Sequence, residues 1–124
     1  MLAIVIDDSR AMRTILGRIL KKMGYTVEEA GNGREALERL SQGPKPDLAL
    51  VDWNMPEMNG LEFLQAVRAD PVYHDMRLVM VTTETDATRI RAALEAGADE
   101  YVMKPFTPDA LGQKLVLIGI EPRC

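Results

Sequence analysis

The sequence predicts an α/β fold, a parallel five-stranded sheet with helices covering both faces. Short apolar runs bounded by turn residues alternate with stretches of helical periodicity, which gives a βα unit repeated five times. The first, third and fourth apolar runs are nearly continuous, as expected of strands buried on both faces. A chain of 124 residues, 47% apolar and 27% charged, can bury one core. We therefore expect a single domain over residues 1–124.

The strand candidates are short apolar runs that end in polar or turn-forming residues. They are predicted at Leu2–Ile6, Thr26–Ala30, Leu48–Val51, Leu78–Val81 and Tyr101–Met103. The second run is the weakest of the set. Between it and the first run, apolar residues recur three and four positions apart, which predicts an amphipathic helix. They are Met12, Ile15, Leu16, Ile19, Leu20 and Met23, and Gly24 follows as a C-cap candidate.

The other four helices are predicted from the residues at their N-termini. Asn32 and Asn59 each stand three residues before a glutamate, the spacing of a capping box. Asp86 can cap a fourth helix that ends at Gly97. Thr107 precedes Pro108 and Asp109, which are favourable residues for the first turn of a fifth helix.

Composition and charge exclude several classes of function. Fifteen basic residues against nineteen acidic ones give a net charge of -4, and the basic residues are scattered, so nucleic-acid binding is not expected. The lone cysteine, Cys124, allows no internal disulfide. No apolar stretch approaches the roughly 20 residues of a membrane span, and no targeting segment is recognisable. We expect a cytoplasmic protein that does not insert into membranes.

Polar side chains follow four of the predicted strands. They are Asp7 and Asp8 after the first strand, Asp52 after the third, Thr82 and Thr83 after the fourth, and Lys104 after the fifth. In an open parallel sheet these carboxyl ends meet at one crevice. Acids at strand ends are often only solvated or capping the next helix, and for Asp8 alone that interpretation is the simpler one. The full set favours a site.

The chemistry of this set suits a metal-assisted phosphoryl acceptor. Three clustered carboxylates repel one another unless a cation is present, and an all-oxygen ligand set favours Mg2+ over zinc. Lys104 and Thr82 can contact the oxygens of a phosphoryl group. Asp52, on a central strand, is the natural nucleophile, which leaves Asp7 and Asp8 to serve the metal.

Four segments of the sequence resemble the receiver domains of two-component response regulators. They are Ile6-Asp7-Asp8-Ser9, Val51-Asp52-Trp53-Asn54-Met55-Pro56 with Asn59-Gly60, Val81-Thr82, and Tyr101-Val102-Met103-Lys104-Pro105-Phe106. The resemblance extends over essentially the whole chain. The segments around Asp52 and Lys104 are particularly similar to stand-alone chemotaxis regulators of the CheY type.

This resemblance implies a flavodoxin-like (βα)5 fold with strand order 2-1-3-4-5. It implies that Asp52 accepts a phosphoryl group from a histidine kinase, and that the chain catalyses only its own phosphorylation and dephosphorylation. Mg2+ would be held by Asp8, Asp52 and the main-chain carbonyl of Asn54, with Asp7 acting mostly through a bound water. Thr82 and Lys104 would contact the phosphoryl oxygens.

The resemblance also implies a switch and a set of partners. Thr82 would couple to Tyr101 and change the surface of the fourth helix, fifth strand and fifth helix, although Tyr101 can also be an ordinary strand aromatic with its hydroxyl in water. Asn54 and Glu84 would modulate dephosphorylation, and the β-branched Thr83 could narrow the phosphodonor's entrance. The output partner would be a flagellar motor switch or a phosphotransfer protein, and we expect a monomer before phosphorylation.

Three rival functions share parts of this pattern. A phosphatase of the haloacid-dehalogenase type would need an acid two residues after Asp52, where this chain has Asn54. A flavodoxin-type module would bind a flavin phosphate after the first strand, where Asp7 and Asp8 would repel it. A receiver-like module that binds partners without phosphorylation would not need the complete set of acids, threonine and lysine.

Overall fold

The predicted alternation of strands and helices is present in the computed structural model, which describes residues 1–83 and 86–119. The strands are β1 (Leu2–Ile6), β2 (Thr26–Ala30), β3 (Leu48–Val51), β4 (Arg77–Thr82) and β5 (Glu100–Met103). The helices are α1 (Arg10–Lys22), α2 (Gly33–Gln42), α3 (Gly60–Arg68), α4 (Ala87–Glu95) and α5 (Pro108–Leu117), with a short 3-10 turn at Pro71–Tyr73. Each strand is followed by one helix.

All strand pairs are parallel, and the strand order is β2-β1-β3-β4-β5. The predicted flavodoxin-like fold and its strand order are therefore confirmed. The order reverses direction between β1 and β3, because the chain moves to one side of β1 for β2 and to the other for β3. In open parallel sheets, ligands bind beyond the carboxyl ends of the strands at such a reversal.

The sheet separates two hydrophobic cores. Along β1, Ile4 and Ile6 face the core under α2, α3 and α4, whereas Ala3 and Val5 face the core under α1 and α5. All four side chains are fully buried. Burying a valine or isoleucine side chain stabilises the fold by about 1.5–3 kcal/mol. The continuous apolar strands are thus explained by helices packed on both faces.

Each predicted N-cap accepts a hydrogen bond from the first turn of its helix. Asn59 forms a complete capping box, in which the Glu62 amide donates to its side chain at 2.9 Å and the Asn59 amide donates to Glu62 at 3.1 Å. At Asn32 the box is incomplete, because the glutamate side chain accepts from Gly31 instead. The caps of α4 and α5, Asp86 and Thr107, are also confirmed.

Ile15, Leu94 and Met103 were expected to pack in the core but are exposed. The side chain of Ile15 is 47% exposed, although it belongs to the apolar stripe of α1. The helix meets the sheet through Leu16 and Leu20, which are buried, and Ile15 lies one position around the helix from that contact. In residues 1–83 and 86–119, no helix has the length and apolar character that a membrane crossing requires.

Candidate functional site

Three carboxylates lie together where β1 and β3 end. β1 and β3 are paired with Ile6 opposite Val51, so the residues that follow, Asp7 and Asp52, are neighbours. One carboxylate oxygen from each of Asp7, Asp8 and Asp52 lies within 4.8 Å of the others. Asp7 and Asp52 are 1% and 8% exposed, whereas Asp8 is on the surface. The sheet thus brings together the three acids that the sequence predicted.

Lys104 extends from the end of β5 into this acidic cluster. Its ammonium group lies 2.8 Å from Oδ2 of Asp7 and 3.6 Å from Oδ2 of Asp52. The peptide bond that follows it, to Pro105, is cis. Because the Lys104 side chain is only 12% exposed, its charge is weakly screened by solvent. A single cation therefore serves two nearly buried carboxylates.

Asp52 is held by hydrogen bonds from two neighbours. The main-chain amide of Trp53 donates to its Oδ1 at 2.8 Å, and the hydroxyl of the fully buried Thr82 also donates to the carboxylate. Burial raises the pKa of the Asp52 carboxyl above its ordinary value of 3.8, although the charge of Lys104 lowers it. The negative charge of Asp7 adds to the increase, and the two hydrogen bonds oppose it. Burial outweighs the favourable contacts.

This donor set fits a small hard cation. Mg2+ binds oxygen ligands at about 2.0–2.1 Å, so ligands on opposite sides of the ion are about 4 Å apart. The three carboxylate oxygens lie within 4.8 Å of one another, close enough to share one ion either directly or through bound water. Burial raises the pKa of Asp52 more than the charge of Lys104 lowers it, so the ionised carboxylate is only partly compensated. A divalent ion would supply the remaining positive charge.

The site is distinct from the large groove of the molecule. That groove has a volume of about 830 Å³ and lies between α1 and α5, with Ile19, Met23 and Val116 among the residues that line it. None of Asp7, Asp8, Asp52, Thr82 and Lys104 lines this groove.

The geometry can be compared with known proteins. The family model of the response regulator receiver domain matches residues 3–116. The chain belongs to the receiver domain family. Within that family it is CheY-like, and it is a two-component response regulator.

Several similar receivers, among them one with a solved structure, carry chemotaxis names. The chain is 45% identical over 113 residues to a chemotaxis protein CheY homolog of Campylobacter jejuni, covering 90% of this chain and 87% of that protein. It is 42% identical to chemotaxis protein CheY1 of Helicobacter pylori, covering 93% and 94%. The structure of chemotaxis response regulator CheY4 of Vibrio cholerae superposes with a TM-score of 0.86 at 36% identity, covering 94% and 97%.

Four further residues were predicted to modulate the site or transmit its signal: Asn54, Thr83, Glu84 and Tyr101. Asn54, two residues after Asp52, and Thr83, directly after Thr82, are both exposed. Tyr101 is 9% exposed, on the strand next to Thr82, in the core that lies under α3 and α4. Glu84 lies outside the described residues. The roles of these four residues remain predictions.

Two residues that support the site were not predicted as functional. A Cβ atom at Gly60 would lie 3.0 Å from Cα of Trp53 and still closer to the carbonyl oxygen of Asp52, so only glycine fits against the loop that follows β3. Arg13 donates a hydrogen bond to the main-chain oxygen of Asp7. The Asn59-Gly60 pair was visible in the sequence as part of the family pattern. Arg13 gave no signal, because a charged residue on a helix is usually solvated.

Proposed function

We propose that this receiver is a phosphorylation switch in which Asp52 accepts a phosphoryl group from a histidine kinase in the presence of Mg2+. The observation that carries the proposal is the convergence of Asp7, Asp8 and Lys104 on the Asp52 carboxylate. Carboxylates repel one another, so a cluster of three is unfavourable unless a cation offsets their charge. A phosphoryl acceptor needs a metal ion and a positively charged side chain beside it, which accounts for the cluster.

In the proposed reaction, an ionised oxygen of Asp52 attacks the phosphorus of a phosphohistidine. The new O–P bond makes an acyl phosphate, the N–P bond breaks, and the imidazole leaves. When bound at Asp8, Asp52 and the carbonyl of Asn54, with Asp7 linked through water, Mg2+ would neutralise the negative charges that meet there. Lys104 and Thr82, already within reach of Asp52, would then contact the phosphoryl oxygens.

We propose that the signal leaves the site through Thr82 and Tyr101. Thr82 ends β4, and Tyr101 lies on the adjacent strand, opposite Met80. A hydroxyl drawn towards the phosphoryl group changes the space available to the Tyr101 ring, and the surface formed by α4, β5 and α5 responds. Asn54 and Glu84 would set the access of water to the acyl phosphate, and Thr83 the access of the phosphodonor.

The pathway proposed for this receiver follows from the proteins to which it is similar. Because the similar Campylobacter and Helicobacter proteins are named as chemotaxis proteins, we propose chemotaxis, with a flagellar motor switch as the output partner. A relay to a histidine phosphotransfer protein is the alternative. We further propose that residues 1–124 form one cytoplasmic receiver, monomeric before phosphorylation, that catalyses no other reaction and binds no nucleic acid.

The test uses Trp53, whose ring is 7% exposed and whose amide contacts Asp52. Its fluorescence is followed during titration with Mg2+ and then with acetyl phosphate, and the intact mass is measured after each addition. We expect a Mg2+-dependent change, then a labile mass increase of one phosphoryl group that is absent in Asp52→Asn. If the wild-type protein gains no phosphoryl group, the proposal is refuted, and the remaining interpretation is a module that binds its partners without phosphorylation.

A further inference from the structure

We propose that Arg13 is a positioning residue for the Mg2+ site, and that its guanidinium fixes the peptide unit from which Asp8 projects. The inference rests on the proposed Mg2+ site and names a residue that controls its affinity. Arg13 touches neither the predicted ligands' carboxylates nor the acceptor, so it would act through the main chain of Asp7.

The contacts of Arg13 hold it in one orientation. Nη1 donates to the main-chain oxygen of Asp7 at 2.7 Å, and Nε donates to Oε1 of Glu29 on β2 at 3.0 Å. The Arg13 side chain is only 18% exposed. A planar guanidinium bound at two of its nitrogens has little freedom to rotate, so it defines the position of the carbonyl that it holds.

Asp7 is fixed at every polar atom, and Arg13 supplies one of these contacts. Its amide donates to the carbonyl of Ala30 at 3.1 Å, its Oδ1 accepts from the amide of Ser9 at 2.9 Å, and its Oδ2 accepts from Lys104 at 2.8 Å. Its main-chain oxygen accepts from Arg13. That oxygen belongs to the peptide plane shared with Asp8, so the contact orients the residue that follows.

Asp8 depends on this anchoring because its own side chain has none. It is exposed, and its carboxylate makes no hydrogen bond or ion pair with any residue of ranges 1–83 and 86–119. The direction in which the carboxylate points is therefore set mainly by its main chain. Residues that orient metal ligands without touching the metal commonly change affinity by about 10–100-fold when they are mutated.

Positioning and charge predict opposite results for Arg13. A guanidinium near a cation site repels the cation, so if charge alone mattered, Arg13→Gln would tighten Mg2+ binding and Arg13→Lys would leave it unchanged. If Arg13 positions the loop, both variants weaken binding, because a lysine ammonium cannot reproduce the two-point geometry of the guanidinium. The pairing with Glu29 already offsets much of the charge of Arg13.

The experiment measures the Mg2+ dissociation constant from Trp53 fluorescence for wild type, Arg13→Lys and Arg13→Gln. Arg18→Gln is the matched control, since it removes the same charge from the same helix at an exposed position without an ion pair in the described chain. Urea unfolding in EDTA gives the stability of each variant without metal. We expect both Arg13 variants to bind Mg2+ about tenfold more weakly, and Arg18→Gln to bind as wild type does.

Three results would overturn the inference. Tighter binding by Arg13→Gln would show that charge dominates. If both Arg13 variants are less stable but bind Mg2+ with unchanged affinity, the role of Arg13 is purely structural. If Arg13→Gln does not fold, an unchanged Mg2+ affinity in Arg13→Lys alone would show the same. If the wild-type protein shows no response to Mg2+, the proposed metal site itself is refuted. That outcome is distinct from the three outcomes in which wild type binds Mg2+ but Arg13 does not position the site.

Discussion

Asp52 is surrounded by groups that act on its charge in opposite directions. Burial and the nearby Asp7 raise its pKa, while Lys104, Thr82 and the Trp53 amide lower it, and burial is the largest effect. The pKa of Asp52 is higher in the folded protein than its value of 3.8 in the unfolded chain. The stability that the neutral Asp52 carboxyl contributes is therefore fully present below pH 3.8, and it is lost as pH rises through the pKa of the folded state.

Asp52→Asn is therefore expected to stabilise the metal-free protein at neutral pH. The amide has a similar shape and carries no charge, and Lys104 keeps its partner Asp7. We expect a gain of about 1 kcal/mol in the free energy of unfolding, since an incompletely compensated buried charge is removed. Urea unfolding in EDTA across a pH series measures it.

The advantage of Asp52→Asn should grow as pH rises above 3.8, where the wild-type carboxyl begins to ionise on unfolding. A difference that is constant with pH would contradict this account of the site. If Mg2+ binds as proposed, adding it should reduce the difference, because a bound cation stabilises the ionised wild-type form.

Most residues of the candidate site could be predicted from the sequence, because each directly follows or ends an apolar strand. Asp7, Asp52, Thr82 and Lys104 obey that rule without knowledge of side-chain contacts. Arg13 does not, since its contacts depend on how far a long side chain reaches across the β1–α1 loop.

At the scale of single elements, α1 contains a glycine that its packing does not require. Gly17 is buried in the middle of the helix, and a Cβ atom there would meet Cγ1 of Val27 at 3.7 Å, an ordinary contact distance. Gly17→Ala should therefore stabilise the protein by about 1 kcal/mol, because alanine favours the helix and fills space without strain. Thermal unfolding measures the effect, and a lower midpoint would mean that α1 packs more tightly against β2 than the structure shows.

Gly60, in the first turn of α3, should respond in the opposite way. Its Cβ would lie 2.9 Å from Cε of Met80, 3.0 Å from Cα of Trp53 and closer to the carbonyl of Asp52. Gly60→Ala should destabilise the protein by about 2–4 kcal/mol, since main-chain atoms cannot yield as side chains do. Urea unfolding measures it, and a stability equal to that of wild type would show that the loop after β3 is able to move.

The elements themselves were predicted well where the signal is local. The bounds of β1, β2 and β3 follow directly from their apolar runs, and the caps are short-range hydrogen bonds. β4 begins one residue before its apolar run because Arg77 pairs with Leu48 in the ladder, while its guanidinium binds the carbonyl of Ile118. A polar residue that pairs through its main chain carries no hydrophobic signal.

Across the whole molecule, Arg68 joins segments that are far apart in the sequence. From the end of α3, its guanidinium donates to the carbonyls of Tyr73 and Gly97 and forms an ion pair with Asp99 at 3.0 Å. Asp99 in turn accepts from the amide of Leu78. One partly buried side chain therefore ties α3 to the beginnings of β4 and β5.

Arg68→Ala should lower the free energy of unfolding by about 2–3 kcal/mol, because it leaves several acceptors without their donor. Arg68→Lys should recover only part of that loss, since an ammonium cannot span the same acceptors. The exposed Arg34→Ala is the control and should change stability by less than about 0.5 kcal/mol. Equal effects of Arg68→Ala and Arg34→Ala in urea unfolding would refute the role given to Arg68.

The strand order is the part of the fold that periodicity could not supply. Apolar runs identify strands but not their neighbours, and β1 lies between β2 and β3 only because of packing over long distances. The order was predicted through resemblance to the receiver family.

The ion pair between Lys104 and Asp7 joins residues 97 positions apart. A ribosome adds about 5–20 residues per second, so the acids of β1 and β3 emerge several seconds before the lysine that neutralises them. Until β5 is synthesised and docked, a nascent chain holds these carboxylates without the lysine, and the proposed acceptor site is incomplete. Under the proposed function, competence for phosphorylation is therefore acquired late in biosynthesis, and a partly made chain cannot send a signal.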